Sequence, residues 1–367
     1  MATGATAPFA ARCAPPFPST ANRRHALHRP SRASSSSSSS GVPRAAARMA
    51  WESADPLVRY RTFEELGTDL PHPMSDHVPM HMFACECDCD GVKVRLVLPE
   101  SEDLVVDVYS ALGKPNDDPH WADLWHGSVA LAAAIFANPD VVRGKRVVDL
   151  GCGLGLGGIA AAMCGAKEVV MTDREERALW CSLAGCVANG VENVQPLTGE
   201  TNEPDGVSLP PLPTHFPCSE IRAHPSKCVV SAAKVDWFEP DAAPSGFDVV
   251  LACDVLYTPE AVDAIATLVL RLFDGNDAGR AGRFVLADPP GRFPENHARF
   301  MALMEDPTKI PGWIPPVGGA NGVGARGRSG RGLVSVETEL RECVNLEEVT
   351  MAVKLSTYDV VVEAGGE

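Results

Sequence analysis

Apolar positions along this chain follow two periods. Short β-branched runs near 146–150, 168–172, 228–235, 247–252 and 283–287 read as strands buried on both faces. Between them, apolar residues recur at helical spacing near 128–137, 174–189, 259–273 and 295–305. Two further runs, 332–340 and 347–356, alternate as an antiparallel edge pair would. Alternating strand and helix predicts a doubly wound, mainly parallel α/β sheet covered on both faces, with ligands at the carboxyl ends of its strands. Ahead of this region, 83–87, 92–98 and 104–108 read as strands of a small antiparallel β unit that packs beside the main domain and shapes its entrance.

The most informative break in the pattern is Val147-Val-Asp-Leu-Gly-Cys-Gly-Leu-Gly-Leu-Gly-Gly158, an apolar strand ending in a carboxylate and alternating glycines. Glycine lets the backbone approach a ligand where a Cβ would collide. The spacing Gly153-x-Gly155-x-x-Gly158 also satisfies the dinucleotide fingerprint, with Asp173 placed to take ribose hydroxyls. Asp149 separates the two cofactor classes. A carboxylate at the mouth of the turn repels a pyrophosphate, which favours a bare helix N-terminus, and suits the ammonium of a methionyl group. S-adenosylmethionine has that ammonium, no phosphate, and a ribose diol for Asp173.

The segments DPHWADLWHGSVALAAAI, RGKRVVDLGCGLGLGG, VVMTD, KVDW and FDVVLACDVLY, in that order, resemble the seven-β-strand methyltransferases and specifically methyltransferase family 16, whose best-known members methylate protein lysines. The resemblance covers about 119–310 and weakens toward the C-terminus. It implies a seven-stranded Rossmann-like sheet, S-adenosylmethionine as cofactor, and transfer of its methyl group to a nitrogen acceptor, a protein lysine first. Matched residue by residue, it makes Asp149, Gly151, Gly153 and Gly155 the methionine-side cradle and Asp173 the ribose ligand. Asp236 and Trp237 would hold the adenine, Trp125 would close the cofactor site, and Ala252 would border it. Asp254 and Tyr257, in Asp254-Val-Leu-Tyr257, would lie beside the acceptor as catalytic residues. A small-molecule N-methyltransferase for nicotinamide-like amines and a cofactor-binding protein without turnover are the alternatives. Trp125 and Trp237 also suit a structural core, and Asp254 also suits a cap for a helix starting near Pro259. Asp288 and Arg292 either line the acceptor mouth or pair with each other across a proline turn.

Charge and composition narrow the setting. Residues 1–51 hold seven Arg, nine Ser and no Asp or Glu, the composition of an organelle transit peptide, with a plastid favoured over a mitochondrion or the cytoplasm and cleavage near 47–49. Taking 1–48 as leader, the 32 basic residues less its seven leave 25 against 48 acidic ones, a net of −23. Such a body repels polyanions, so no nucleic-acid partner is expected. No apolar run reaches a membrane span, and a soluble monomer is expected. Residues 49–120 read as an N-terminal extension and 121–367 as the methyltransferase domain, with an insertion at 198–227 and a Gly/Arg-rich loop at 312–331. Twelve cysteines scattered through such a domain read as reduced thiols. Cys85, Cys87 and Cys89, preceded by His81, lack the usual zinc spacing and read as strand thiols, so no metal is expected.

Overall fold

The computed structural model describes residues 58–62, 82–99, 102–111, 113–117, 119–197, 212, 227–275, 282–289, 291–311, 331–344 and 350–362. The leader at 1–48, nearly all of the insertion at 198–227 and of the loop at 312–331, His81, and the side chain of Cys85 lie outside them.

The described residues open with β1 (Val58–Thr62), β2 (Met82–Cys89) and β3 (Val92–Pro99), which form a three-stranded antiparallel sheet. The expected third strand at 104–108 is instead part of helix α1 (Glu102–Ala111). A run of four apolar residues within five fits either period. Burial decides, because Val105, Val108 and Tyr109 are buried while Val106 and Asp107 face solvent, which is a helical stripe.

The remaining elements are α2 (His126–Ala137), β4 (Arg146–Leu150), α3 (Leu156–Met163), β5 (Glu168–Asp173), α4 (Glu176–Ala188), β6 (Asn193–Val194), β7 (Val229–Lys234), β8 (Val249–Cys253), α5 (Pro259–Leu272), β9 (Arg283–Asp288), α6 (Pro294–Glu305), β10 (Arg331–Val344) and β11 (Thr350–Val362). The main sheet runs β10-β11-β9-β8-β4-β5-β7-β6. Neighbours in the run β9-β8-β4-β5-β7-β6 all pair in parallel, while β11 is antiparallel to both β9 and β10. The two-residue β6 makes the sheet one strand wider than the seven expected. The strand order reverses between β4 and β8, so the ligand crevice of such a sheet lies above their carboxyl ends.

Two apolar layers cover the sheet. On one face α2, α3 and α4 pack with β2 and β3 into a shared core that includes Leu96, Leu131, Ile159 and Trp180. On the other, α5 and α6 bury Val262, Ile265, Val269 and Phe300 against Phe247, Phe284 and Tyr358. Helix α5 shows why such segments start where they do. Thr258 accepts a hydrogen bond from Ala261 N at 3.1 Å, Pro259 occupies the first turn, and Arg271 sits in the last turn, near the negative end of the helix dipole. Asn189 joins β3 to the end of α4: its amide accepts from Arg95 N at 2.9 Å and donates to Arg95 O at 2.6 Å. Nine cysteine side chains are described, all of them free, with seven buried and Cys164 and Cys253 half-buried. Among the described residues no helix is long and apolar enough to cross a membrane.

Candidate active site

The carboxyl ends of β4, β5, β7, β8 and β9 lie side by side and carry nearly all of the expected site residues. After β4 the backbone turns through Gly151 (φ 67°), Gly153 and Gly155 (φ 79°) into α3. A Cβ on Gly151 would lie 2.6 Å from the Trp237 ring, and one on Gly155 would lie 2.5 Å from Ser182 Cβ, so both positions require glycine for space as well as conformation. Asp149 turns in toward the start of α3. Its side chain is only 1% exposed, and its Oδ2 accepts from Gly158 N in the first turn of α3 at 2.7 Å. Its Oδ1 is buried with no hydrogen-bond partner among the described residues. Burial pushes its pKa up to about 7, against the stabilising bond from Gly158, with Asp173 adding to the rise.

Asp173 ends β5 and ties two backbone segments together. Its Oδ2 accepts from Gly153 N at 3.0 Å and its Oδ1 from Glu175 N at 3.0 Å. Burial moves it up to about 6, opposed by those two bonds. Behind it lies a network that the sequence reading missed. Trp121 Nε1 donates to the Tyr109 hydroxyl at 2.9 Å, and that hydroxyl donates to Glu175 Oε2 at 2.6 Å. Glu175 caps α4 by accepting from Arg177 N and pairs with the Arg177 guanidinium, both at 3.0 Å. Burial, then the charge of Glu175, holds the Tyr109 phenol far above its ordinary range, so it remains a donor. The carbonyl of Trp121 in turn approaches the Gly153 backbone, 3.2 Å from where a Cβ would stand. The signal available in the sequence was the aromatic pair at the edge of the matched region, but Tyr109 falls just past the run read as a strand.

Asp236 is exposed beyond β7, and its Oδ1 accepts from Phe238 N at 2.9 Å. Trp237 lies over Gly151 and meets the Tyr257 ring, with centroids 5.8 Å apart. Ala252 is fully buried in β8, paired with Leu150 of β4 and Leu286 of β9, and so forms part of the floor.

Asp254, just past β8, takes a left-handed backbone with φ 52°. It does not cap α5, since Thr258 does that. Its Oδ2 accepts instead from Gly127 N in the first turn of α2 at 2.7 Å. Its Oδ1 faces Arg292 Nη1 at 3.2 Å. Burial lifts Asp254 to about 7; Arg292 and Gly127 pull it down and Asp288 pushes it up. Trp125 is the N-cap residue of α2, its Nε1 donates to His120 O at 2.8 Å, and the Arg292 guanidinium lies over its ring at 4.5 Å from the centroid. Asp288 does not pair with Arg292. It is buried at the end of β9, where His297 Nδ1 lies 3.3 Å from its Oδ2, and Lys354 Nζ lies 3.2 Å from His297 Nε2. Lysine can only donate, so the neutral imidazole carries its proton on Nδ1 and donates to Asp288.

Cys87 and Cys89 share the buried face of β2 with their sulfurs 3.7 Å apart. Among the described residues, no group of three or more His, Cys, Asp or Glu side chains is placed to hold a metal ion.

Residues 121–207, which span α2 to the end of β6 and include the glycine turn and Asp173, match the methyltransferase small domain family. That stretch is similar to a methyltransferase small domain and forms the first half of a doubly wound sheet. Among curated proteins, the electron transfer flavoprotein beta subunit lysine methyltransferase of Rattus norvegicus is 43% identical over 84 residues, which is 23% of this chain and 33% of that protein. The protein N-terminal and lysine N-methyltransferase efm7 of Schizosaccharomyces pombe is 50% identical over 60 residues, 16% of this chain and 24% of that protein. The chain spans about a third of the length of the first of these relatives. A putative RNA methyltransferase from Pyrococcus horikoshii superposes with TM-score 0.37 at 13% identity over 71% of this chain and 97% of that one, a likeness too distant to bear on substrate.

Proposed function

We propose that this protein transfers a methyl group from S-adenosylmethionine to a protein lysine side chain. The observation that carries the reading is Asp149: a buried carboxylate seated at the N-terminus of α3, bonded to Gly158 N and with its second oxygen unpartnered. It occupies the place where a dinucleotide fold receives a pyrophosphate, and its charge suits a cationic ligand instead. When bound, S-adenosylmethionine supplies an electrophilic methyl group on a sulfonium. Gly151, Gly153 and Gly155 would cradle its methionyl side, Asp173 its ribose, and Asp236 with Trp237 its adenine, beside Ala252. Trp125 would wall the site, and Asp254 with Tyr257 would bind and orient the acceptor nitrogen. Transfer to an amine develops no oxyanion, so alignment and exclusion of water are the principal demands. An acceptor lysine arrives as an ammonium, with a reference pKa of about 10.4, and must shed a proton before attack.

The names of the similar proteins support a protein acceptor and make an electron transfer flavoprotein beta subunit the first acceptor to test. The experiment is incubation of the protein lacking residues 1–48 with methyl-labelled S-adenosylmethionine and either that subunit or a plastid extract. Label on a lysine of one protein band is expected. Label confined to small molecules would move the reading to metabolite N-methylation, and cofactor binding without label would leave a binding protein. We also propose that residues 1–48 direct import into a plastid. A fluorescent fusion of that segment should accumulate there, and uniform cytosolic fluorescence would end this part of the reading.

A further inference from the structure

We infer that the Trp125 ring and the Asp254 carboxylate form a seat for an alkylammonium, that Arg292 plugs this seat in the free protein, and that an incoming lysine side chain takes its place. The inference rests on the lysine methyltransferase reading and adds to it a displaceable residue that sets acceptor selectivity.

Both walls are fixed without help from Arg292. The Trp125 indole is held through Nε1 by His120 O, with the His120 ring edge-on at 5.8 Å, and Asp254 is held through Oδ2 by Gly127 N. What remains between them is an aromatic face and one carboxylate oxygen, the pair of groups that attracts an organic cation. Arg292 supplies such a cation, 4.5 Å over the ring and 3.2 Å from Asp254 Oδ1. It does so loosely. A guanidinium matched to a carboxylate makes two parallel short bonds, whereas Arg292 makes one long bond to an oxygen whose partner is already engaged. Its side chain is 24% exposed against 5% for Asp254, so the plug sits on the solvent side of a buried anion.

The backbone favours such exchange as well. Arg292 belongs to a turn in which its N–H donates to Pro289 O at 3.0 Å. The turn begins at Asp288, which is anchored by His297 and Lys354 rather than by Arg292. The arginine can therefore swing out while the strand end stays in place. Exchange of one cation for another leaves the charge beside Asp254 unchanged. A tethered competitor also lowers the apparent affinity of every acceptor by the fraction of time the seat is open. A protein surface offers further contacts to offset that cost, and a free amine does not.

Butylammonium chloride, the free equivalent of a lysine side chain, tests the seat by calorimetric titration. Arg292→Ala should bind it at least about tenfold more tightly than the wild-type protein. Arg292→Lys, which refills the seat with an ammonium, should match the wild type, and Asp254→Asn in the Arg292→Ala background should lose the gain. Equal affinity in wild type and Arg292→Ala, or a gain that survives Asp254→Asn, would overturn the inference. The titration needs neither cofactor nor turnover. Failure of the methyl-transfer reading would therefore show separately, as an intact seat in a protein that labels no acceptor.

Discussion

Asp254 Oδ2 and Gly127 N share a 2.7 Å hydrogen bond across 127 residues of sequence, so the carboxylate at the end of β8 also caps the helix that opens the matched domain. The two roles are separable. Asp254→Asn keeps an oxygen for Gly127 but removes the charge that faces Arg292. It should retain S-adenosylmethionine affinity and thermal stability while methyl transfer falls about 10- to 100-fold, the worth of one charge-assisted hydrogen bond. Asp254→Ala should in addition lose about 1 kcal/mol of stability with the cap. Equal turnover by Asp254→Asn would remove the residue from the mechanism.

Gly151 tests the cradle. Alanine there must adopt φ 67° and place its Cβ 2.6 Å from the Trp237 ring, which displaces the tryptophan from the turn. Calorimetry should show S-adenosylmethionine affinity reduced by tenfold or more, on the order of 1.4 kcal/mol. Urea unfolding should register a separate loss of about 1–3 kcal/mol. Unaltered affinity would place the cofactor elsewhere.

Tyr109 links the N-terminal helix to the turn that holds Asp173. Tyr109→Phe leaves the buried Trp121 N–H without its acceptor and Glu175 Oε2 without the hydroxyl donor, while Oε1 keeps its bonds from Arg177. Stability should fall by about 1–3 kcal/mol. Cofactor affinity should drop with it, because Glu175 N is one of the two donors that orient Asp173. A stability loss with no change in affinity would confine the network to a structural role.

The buried carboxylates set an unusual pH dependence. Asp149 at about 7 binds its proton more tightly folded than unfolded, where the value is near 3.9. Folding therefore takes up protons between about pH 4 and pH 7, and the protein without cofactor loses stability as pH rises through that window, on the order of 4 kcal/mol for Asp149 alone. Asp173 and Asp254, at about 6 and 7, act in the same direction. The urea midpoint of the wild type should be higher at pH 5.5 than at pH 8, and Asp149→Asn should narrow the gap. An Asp149→Asn protein with an unchanged gap would contradict the burial of that charge.

Much of this architecture was legible in the chain because strand ends and helix starts are local events. The apolar runs from 146 to 287 gave the parallel strands within a residue or two, and alternating glycines after Asp149 marked the β4 to α3 turn. Local patterns failed where two periods coincide, as at 104–108, or where an element is too short to have a period, as at Asn193–Val194. They also failed for partnerships across the fold. Asp288 and Arg292 are four residues apart and of opposite charge, yet the turn between them sends one to His297 on α6 and the other back to Asp254. That Asp254 would reach Gly127 has no signature at either position, since a cap supplied from another strand leaves the helix start without its usual side chain.

Burial of the cysteines in the described core has a consequence for their reactivity. Burial holds the thiols of Cys152, Cys181, Cys186 and Cys253 well above their ordinary range, and Cys164 and Cys343 near 11. The thiolate is the nucleophile that attacks disulfides and reacts with oxidants, so raising these pKa values keeps the six sulfurs in the unreactive thiol form at physiological pH. Among the described residues, these six thiols are thereby withheld from exchange with the thiol pool around the protein.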